Sequence, residues 1–136
     1  MDAPLFVLLT TVIAWVVSQV LKFFFHAGTP FDPWWWRTGG MPSSHTAPTA
    51  AAVTSIFLVE GFSVLFVFSL IFLIAIIRDA VGVRYAVGVN AQVLKQLLGK
   101  KKESDIVVVQ EGHTVKQVAA GFVIGLVVSV LLFVFV

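Results

Sequence analysis

Twice this chain runs for twenty-two residues with a single charge: Pro4–Phe25, broken only by Lys22, and Val115–Val136, broken only by Lys116. A helix crosses the hydrocarbon core of a bilayer with ~20 apolar residues and tolerates ~17–25. Lipid offers no partner to a backbone N–H or C=O, so stretches of this kind must be helical to sit there. The whole chain is 59% hydrophobic with a mean hydropathy of +1.01, against ~45–50% apolar for a soluble domain. An integral membrane protein is expected, and no nucleic-acid partner. With no cysteine, disulfides and thiolate metal sites are excluded.

Two further spans are weaker. Ser44–Val59 is short and opens with small polar residues, so it reaches across only if its helix starts in the Pro42-Ser43-Ser44-His45 run. Glu60-Gly61 makes a tight connection. Phe62–Ile77 then continues through Arg78-Asp79 to about Tyr85. The expected architecture is all-α: a polytopic membrane helical bundle of about four transmembrane helices, forming one domain over residues 1–136. The first segment is too long for a signal-peptide core and lacks a basic leader, so it reads as a retained span.

Two connections are long. His26–Met41 carries Trp34-Trp35-Trp36, and indoles favour the headgroup level. Ala86–Gly112 begins with Val89, Val93, Leu94, Leu97 and Leu98 on one helical face and Gln92, Lys95 and Gln96 opposite. This predicts an amphipathic helix on the membrane surface, ending at Gly99. Ile106–Val109 reads as a strand or an extended segment. Four spans put both long connections on one side. All nine Lys and Arg lie in them or at the helix ends facing them, which predicts that side to be cytoplasmic.

The same topology gathers Lys22, Arg37, His45, Asp79, Arg84 and His113 at one membrane face. Ionisable groups near a bilayer are costly and tend to be functional. Two histidines with several cations suit phosphoryl chemistry. One histidine can attack phosphorus and the other can protonate the departing alkoxide. Arginine and lysine hold the equatorial oxygens as charge spreads over them. Gly39-Gly40-Met41-Pro42-Ser43-Ser44-His45 looks like an anion cradle, because glycines allow close backbone approach and a helix start attracts negative charge.

That run resembles the Pro-Ser-Gly-His motif of the type-2 phosphatidic acid phosphatase and vanadium haloperoxidase superfamily. Together with Arg78-Asp79-Ala80-Val81-Gly82-Val83-Arg84 and Gly112-His113-Thr114-Val115-Lys116-Gln117, it is similar to the short, divergent bacterial and plant branch. The resemblance covers nearly the whole chain. It implies a metal-free, cofactor-free hydrolase of lipid phosphates or diphosphates in a bacterial cell membrane or its organelle equivalent, working through a phosphohistidine. His113 would be the nucleophile and His45 the general acid. Lys22, Arg37 and Arg84 would clamp phosphate, and the Ser43 and Ser44 region would donate hydrogen bonds.

The chain departs from the superfamily pattern in three places. Lys22 and Arg37 are fifteen residues apart, with no proline after the arginine. Arg84 and His113 are separated by the whole surface segment. Where the superfamily places an aspartate to orient its histidine, four residues on, this chain has Gln117; Asp79 or Glu111 would then supply the negative charge. The superfamily tends to six spans, so a homodimer would be one way to complete a four-span site.

Each residue also has a structural reading. Lys22 can snorkel from a helix end, and Arg37 and Arg84 can anchor to headgroups. Thr114 with Gln117 matches a capping box. Gly121-x-x-x-Gly125 marks close helix packing, within the chain or between copies. Three other functions therefore stay open: a non-catalytic lipid-phosphate binding or transport protein, a structural membrane subunit and, last, a vanadate-dependent peroxidase.

Overall fold

A computed structural model describes residues 2–25, 40–99, 106–107 and 112–136 of the chain. It is helical, with no strand among the described residues. The elements are α1 (Ala3–Phe25), α2 (Thr46–Glu60), α3 (Val64–Arg78), a π-helical turn (Asp79–Val83), α4 (Arg84–Leu98) and α5 (Val115–Phe135). Among the described residues three helical runs are long and apolar enough to cross a membrane: α1, the continuous stretch Val64–Leu98, and α5. The fourth, α2, is apolar but shorter. This is the membrane helical bundle that the hydropathy pattern predicts. The tryptophan run, Arg37, Glu111, the triple lysine at 100–102 and Val108–Val109 lie outside the described residues; Ile106 and Val107 form no strand.

The central helix is α2, packed against α1, α3 and α5. Small residues let it sit there. Ala47, Ala50 and Ala51 are fully buried, facing Gly121, Gly125 and Ser129 of α5. A Cβ on Gly125 would lie 2.4 Å from the Ala47 carbonyl oxygen and 2.7 Å from the Ala51 nitrogen; one on Gly121 would lie 2.7 Å from the Ser43 carbonyl oxygen. The Gly121-x-x-x-Gly125 motif therefore serves packing within the chain. A hydroxyl chain crosses the same core: Thr10 and Ser55 are 2.7 Å apart, Ser55 donates to Ser129 at 3.1 Å, and Ser129 lies 3.0 Å from the Ala51 carbonyl. Between helices in a bilayer, small residues and hydroxyl bonds replace the hydrophobic drive that lipid cannot give.

The weaker span has a structural explanation. Its helix starts at Thr46, after the Pro-Ser-Ser-His run. Its fifteen residues reach only ~22 Å at 1.5 Å per residue, short of the ~30 Å hydrocarbon core. The preceding Pro42, Ser43 and Ser44 extend this segment as irregular but buried backbone. Such backbone is tolerated at membrane depth where protein surrounds it. At the other end Gly61 closes the turn at a φ of 66°, a conformation open to glycine. Ser63 then caps α3, accepting the Phe66 N–H at 3.1 Å and donating to Glu60 Oε2 at 2.8 Å.

One expectation needs correcting. The amphipathic segment was expected as a separate surface element after a helix ending near Tyr85. It is instead the direct continuation of α3 through the π-turn, with α4 ending at Gly99, whose φ is 60°. No proline or helix-breaking run separates the two, and one widened turn absorbs the change of hydropathy. Among its residues only Gly88 is buried.

Glycine at 125 is thus tested by size. Gly125→Val should force α2 and α5 apart and cost ~1–3 kcal/mol, seen as a lower midpoint of denaturant unfolding in lipid bicelles. Gly82→Ala, where a new Cβ meets nothing within 4 Å, should stay within ~0.5 kcal/mol of the parent.

Candidate active site

The site is assembled from both ends of the sequence at the α2 start. Its frame is the backbone. The Ser43 N–H donates to the Gln117 carbonyl at 3.1 Å, tying the Pro-Ser-Ser-His run to the first turn of α5. The His113 N–H donates to the Ala80 carbonyl at 3.1 Å, tying the segment before α5 to the π-turn. Gly112 makes that second tie feasible: a Cβ there would sit 2.2 Å from the Tyr85 nitrogen and 2.3 Å from its Cα. Two backbones touch where any other residue would hold them apart.

His45 occupies the N-cap position of α2 and His113 lies just before α5. Their ring centroids are 6.4 Å apart with the planes tilted by 59°. The two rings thus meet at one point of the site, the α2 start and the segment before α5 each supplying one. His113 is 2% exposed, and neither of its ring nitrogens has a hydrogen-bond partner. A buried polar atom without a partner is costly, and the Gln117 side chain is the polar group that acts on the ring in the raising direction.

The local field is positive. Burial and the nearby charge of Lys22 push the His113 pKa down to about 4; His45 and Arg84 add to this, while Gln117 pulls the other way. For His45 partial burial comes first, then Arg84 and Lys22, with Asp79 opposing. Lys22, in the last turn of α1, is 4% exposed, too buried for simple snorkelling into water. Asp79 and Arg84 form an ion pair. They are five residues apart, a spacing that an α-helix would place about 140° round its axis at 3.6 residues per turn. The π-turn brings them onto one side.

The remaining predicted residues have structural duties. The Ser43 hydroxyl oxygen accepts from the Thr46 N–H at 3.3 Å and from the Thr46 hydroxyl at 3.0 Å, and the Ser43 carbonyl accepts the Ala47 N–H at 3.2 Å. With proline next at 48, the first N–H donors of α2 are already engaged, so the anion attraction of this helix start rests on its dipole and on side chains. Ser44 is buried beside His45. Gln117 completes the capping box: its Oε1 accepts the Thr114 N–H at 2.9 Å, while its own N–H reaches the Thr114 hydroxyl at 3.4 Å. Arg37 lies outside the described residues. Among those residues no three His, Asp or Glu side chains converge on one point.

Sequence reasoning passed over Gln19, one turn before Lys22. It is 6% exposed and its Oε1 has no partner. A primary amide inside an apolar span was the available signal. It also passed over the Ala80 carbonyl, which no side-chain motif announces.

A family described as Divergent PAP2 family matches residues 5–128 of the chain. Comparison with curated proteins and with solved structures gives no match.

The docking of residues 112 and 113 is open to test. Gly112→Ala should lift His113 off the π-turn and let water reach the ring. The His113 pKa should then rise from about 4 toward the ordinary ~6.5, followed by NMR titration of imidazole-labelled protein. An unmoved pKa would count against backbone contact as the cause of its burial.

Proposed function

The chain belongs to the Divergent PAP2 family, and from that premise we propose that it hydrolyses a phosphomonoester or diphosphate on a membrane lipid through a phosphohistidine. Phosphatidic acid, phosphatidylglycerol phosphate and polyprenyl diphosphate are the candidate substrates. The observation that carries this reading is the pairing of His45 and His113 at 6.4 Å, held by backbone bonds from α5 to the α2 start and to the π-turn. A histidine whose pKa is pushed down to about 4 is neutral near pH 7, so its lone pair is available for attack.

In the proposed reaction a ring nitrogen of His113 forms a bond to phosphorus as the ester P–O bond breaks. The electron pair goes to the leaving oxygen, which takes a proton from His45. Neutral His45 then accepts a proton from water as that water attacks phosphorus, and the N–P pair returns to His113 with release of phosphate. Lys22 and Arg84 offset the charge on the equatorial oxygens, with Arg37 and the Ser43–Ser44 run as further candidates and Asp79 holding Arg84. No resident metal is invoked for this field. The abundance of Lys and Arg on the site's side favours a cytoplasmic site. A lipid-phosphate binding or transport protein is the second reading. It is favoured by Gln117, whose amide caps α5 and leaves His113 without a carboxylate at that position.

Phosphate release from lipid phosphates in vesicles, with EDTA present, tests the reading. It should persist in the parent and fall by at least ~10³-fold in His113→Ala. Binding without release would move the second reading to first place. The pH profile adds a sign. The nucleophile must be neutral and the acid protonated, and both histidines are shifted down. Activity, corrected for ionisation of the substrate, should be bell-shaped. It should fall on the acid side near pH 4 and on the alkaline side below the ordinary histidine value of ~6.5.

A further inference from the structure

We propose that the groove between α1 and α5 holds the hydrocarbon chain of the same lipid whose phosphate lies among Lys22, His45, Arg84 and His113. This rests on the reading of that cluster as a phosphate site. The groove is open along one side and has a volume of about 410 Å³, within the ~300–1,000 Å³ typical of small-molecule sites. Leu21 and Phe25 of α1 form one wall and Ala119, Ala120 and Val123 of α5 the other, with Met41 and Pro42 also lining it. Among the described residues its lining side chains are all apolar. The two alanines open it, since larger residues at 119 and 120 would fill the space between the helices.

Its place gives it an occupant. Leu21 in the groove wall precedes Lys22, and Pro42 precedes Ser43, Ser44 and His45. The segments that line the apolar slot on one side thus carry the buried lysine and the histidine run on the other. An amphiphile with an anionic head and an apolar tail complements both. A water-soluble phosphate would complement only the cluster, and an uncharged lipid only the slot. The outer face of α3 is a different surface: Phe68, Ile71 and Phe72 are broadly exposed, on a helix packed against the bundle through Leu73, as expected for contact with bulk lipid.

The test uses a non-hydrolysable phosphonate analogue of phosphatidic acid with a diazirine in its acyl chain, in phosphatidylcholine vesicles holding the full chain. After irradiation, labelled peptides are mapped by mass spectrometry. Label should concentrate on 119–124 and on Leu21, exceeding label at Phe68, Ile71 and Phe72 roughly tenfold, a bias of about 1.4 kcal/mol. Ala120→Trp should abolish that excess while circular dichroism stays unchanged. A second arm, independent of any variant, gives the same tail a phosphocholine head. Equal labelling of the groove by the two heads, or label spread evenly onto α3, would overturn the proposal. Labelling needs no turnover, so the two readings fail separately. Groove labelling without phosphate release keeps the tail site and removes the hydrolase, whereas release with label elsewhere removes the tail site alone.

Discussion

The backbones of α2 and α5 come close enough that two glycines on α5 have no room for a Cβ, and the histidine end of the molecule is built on that contact. Ser43 can reach the Gln117 carbonyl only because Gly121 and Gly125 let α5 lie against Ala47, Ala50 and Ala51. With larger residues along this seam the Pro-Ser-Ser-His run and the segment carrying His113 would belong to separate helices a side chain's width apart. Packing of this kind gains from van der Waals contact and a few hydroxyl bonds, since moving an apolar side chain from lipid to protein releases little. The Thr10–Ser55–Ser129 chain adds direction to an otherwise featureless interface of small residues.

The shortness of α2 sets the electrostatics. The short α2 leaves His113 buried among irregular backbone, with His45 exposed beside it at the helix start. Lys22 acts on His113 through protein rather than through bulk water, and charge interactions weaken less with distance. Burial is the largest cause of the lowered pKa at each histidine, and Lys22 and Arg84 act on both. Solvation and charge thus push the same way, toward neutral rings.

Much of this was legible from the residues. Hydropathy placed α1 and α5, the Glu60-Gly61 turn marked the end of α2, and alternation of sides brought Lys22, His45, Asp79, Arg84 and His113 to one end. Thr114 and Gln117 were readable as a capping box because that motif depends on spacing along one helix. The tie between His113 and Ala80 was not readable, since it joins a backbone N–H to a backbone carbonyl and leaves no side-chain signature. The start of α2 was misjudged by two residues for a similar reason: Ser43 and Ser44 have the composition of a helix start, but Ser43 caps from outside while Thr46 begins the helix. The continuity of α3 with α4 was hidden by composition, because periodicity reports a change of environment and not a break in the chain.

The π-turn carries one residue more than a regular helix would use over the same rise. Everything after it is therefore out of phase with α3 by about 100°, the angle between successive residues of an α-helix. The phase of α3 is set by Leu73 against the bundle, and that of α4 by the backbone of Arg84 and Tyr85 against Gly112. A single regular helix could not satisfy both. Removing one residue between Asp79 and Val83 would restore an uninterrupted ladder of hydrogen bonds and strengthen the helix locally, yet turn Arg84 away from the histidines. In this segment length is a functional parameter in its own right: a change of side chain there is a local matter, whereas an insertion or deletion resets the geometry of all that follows.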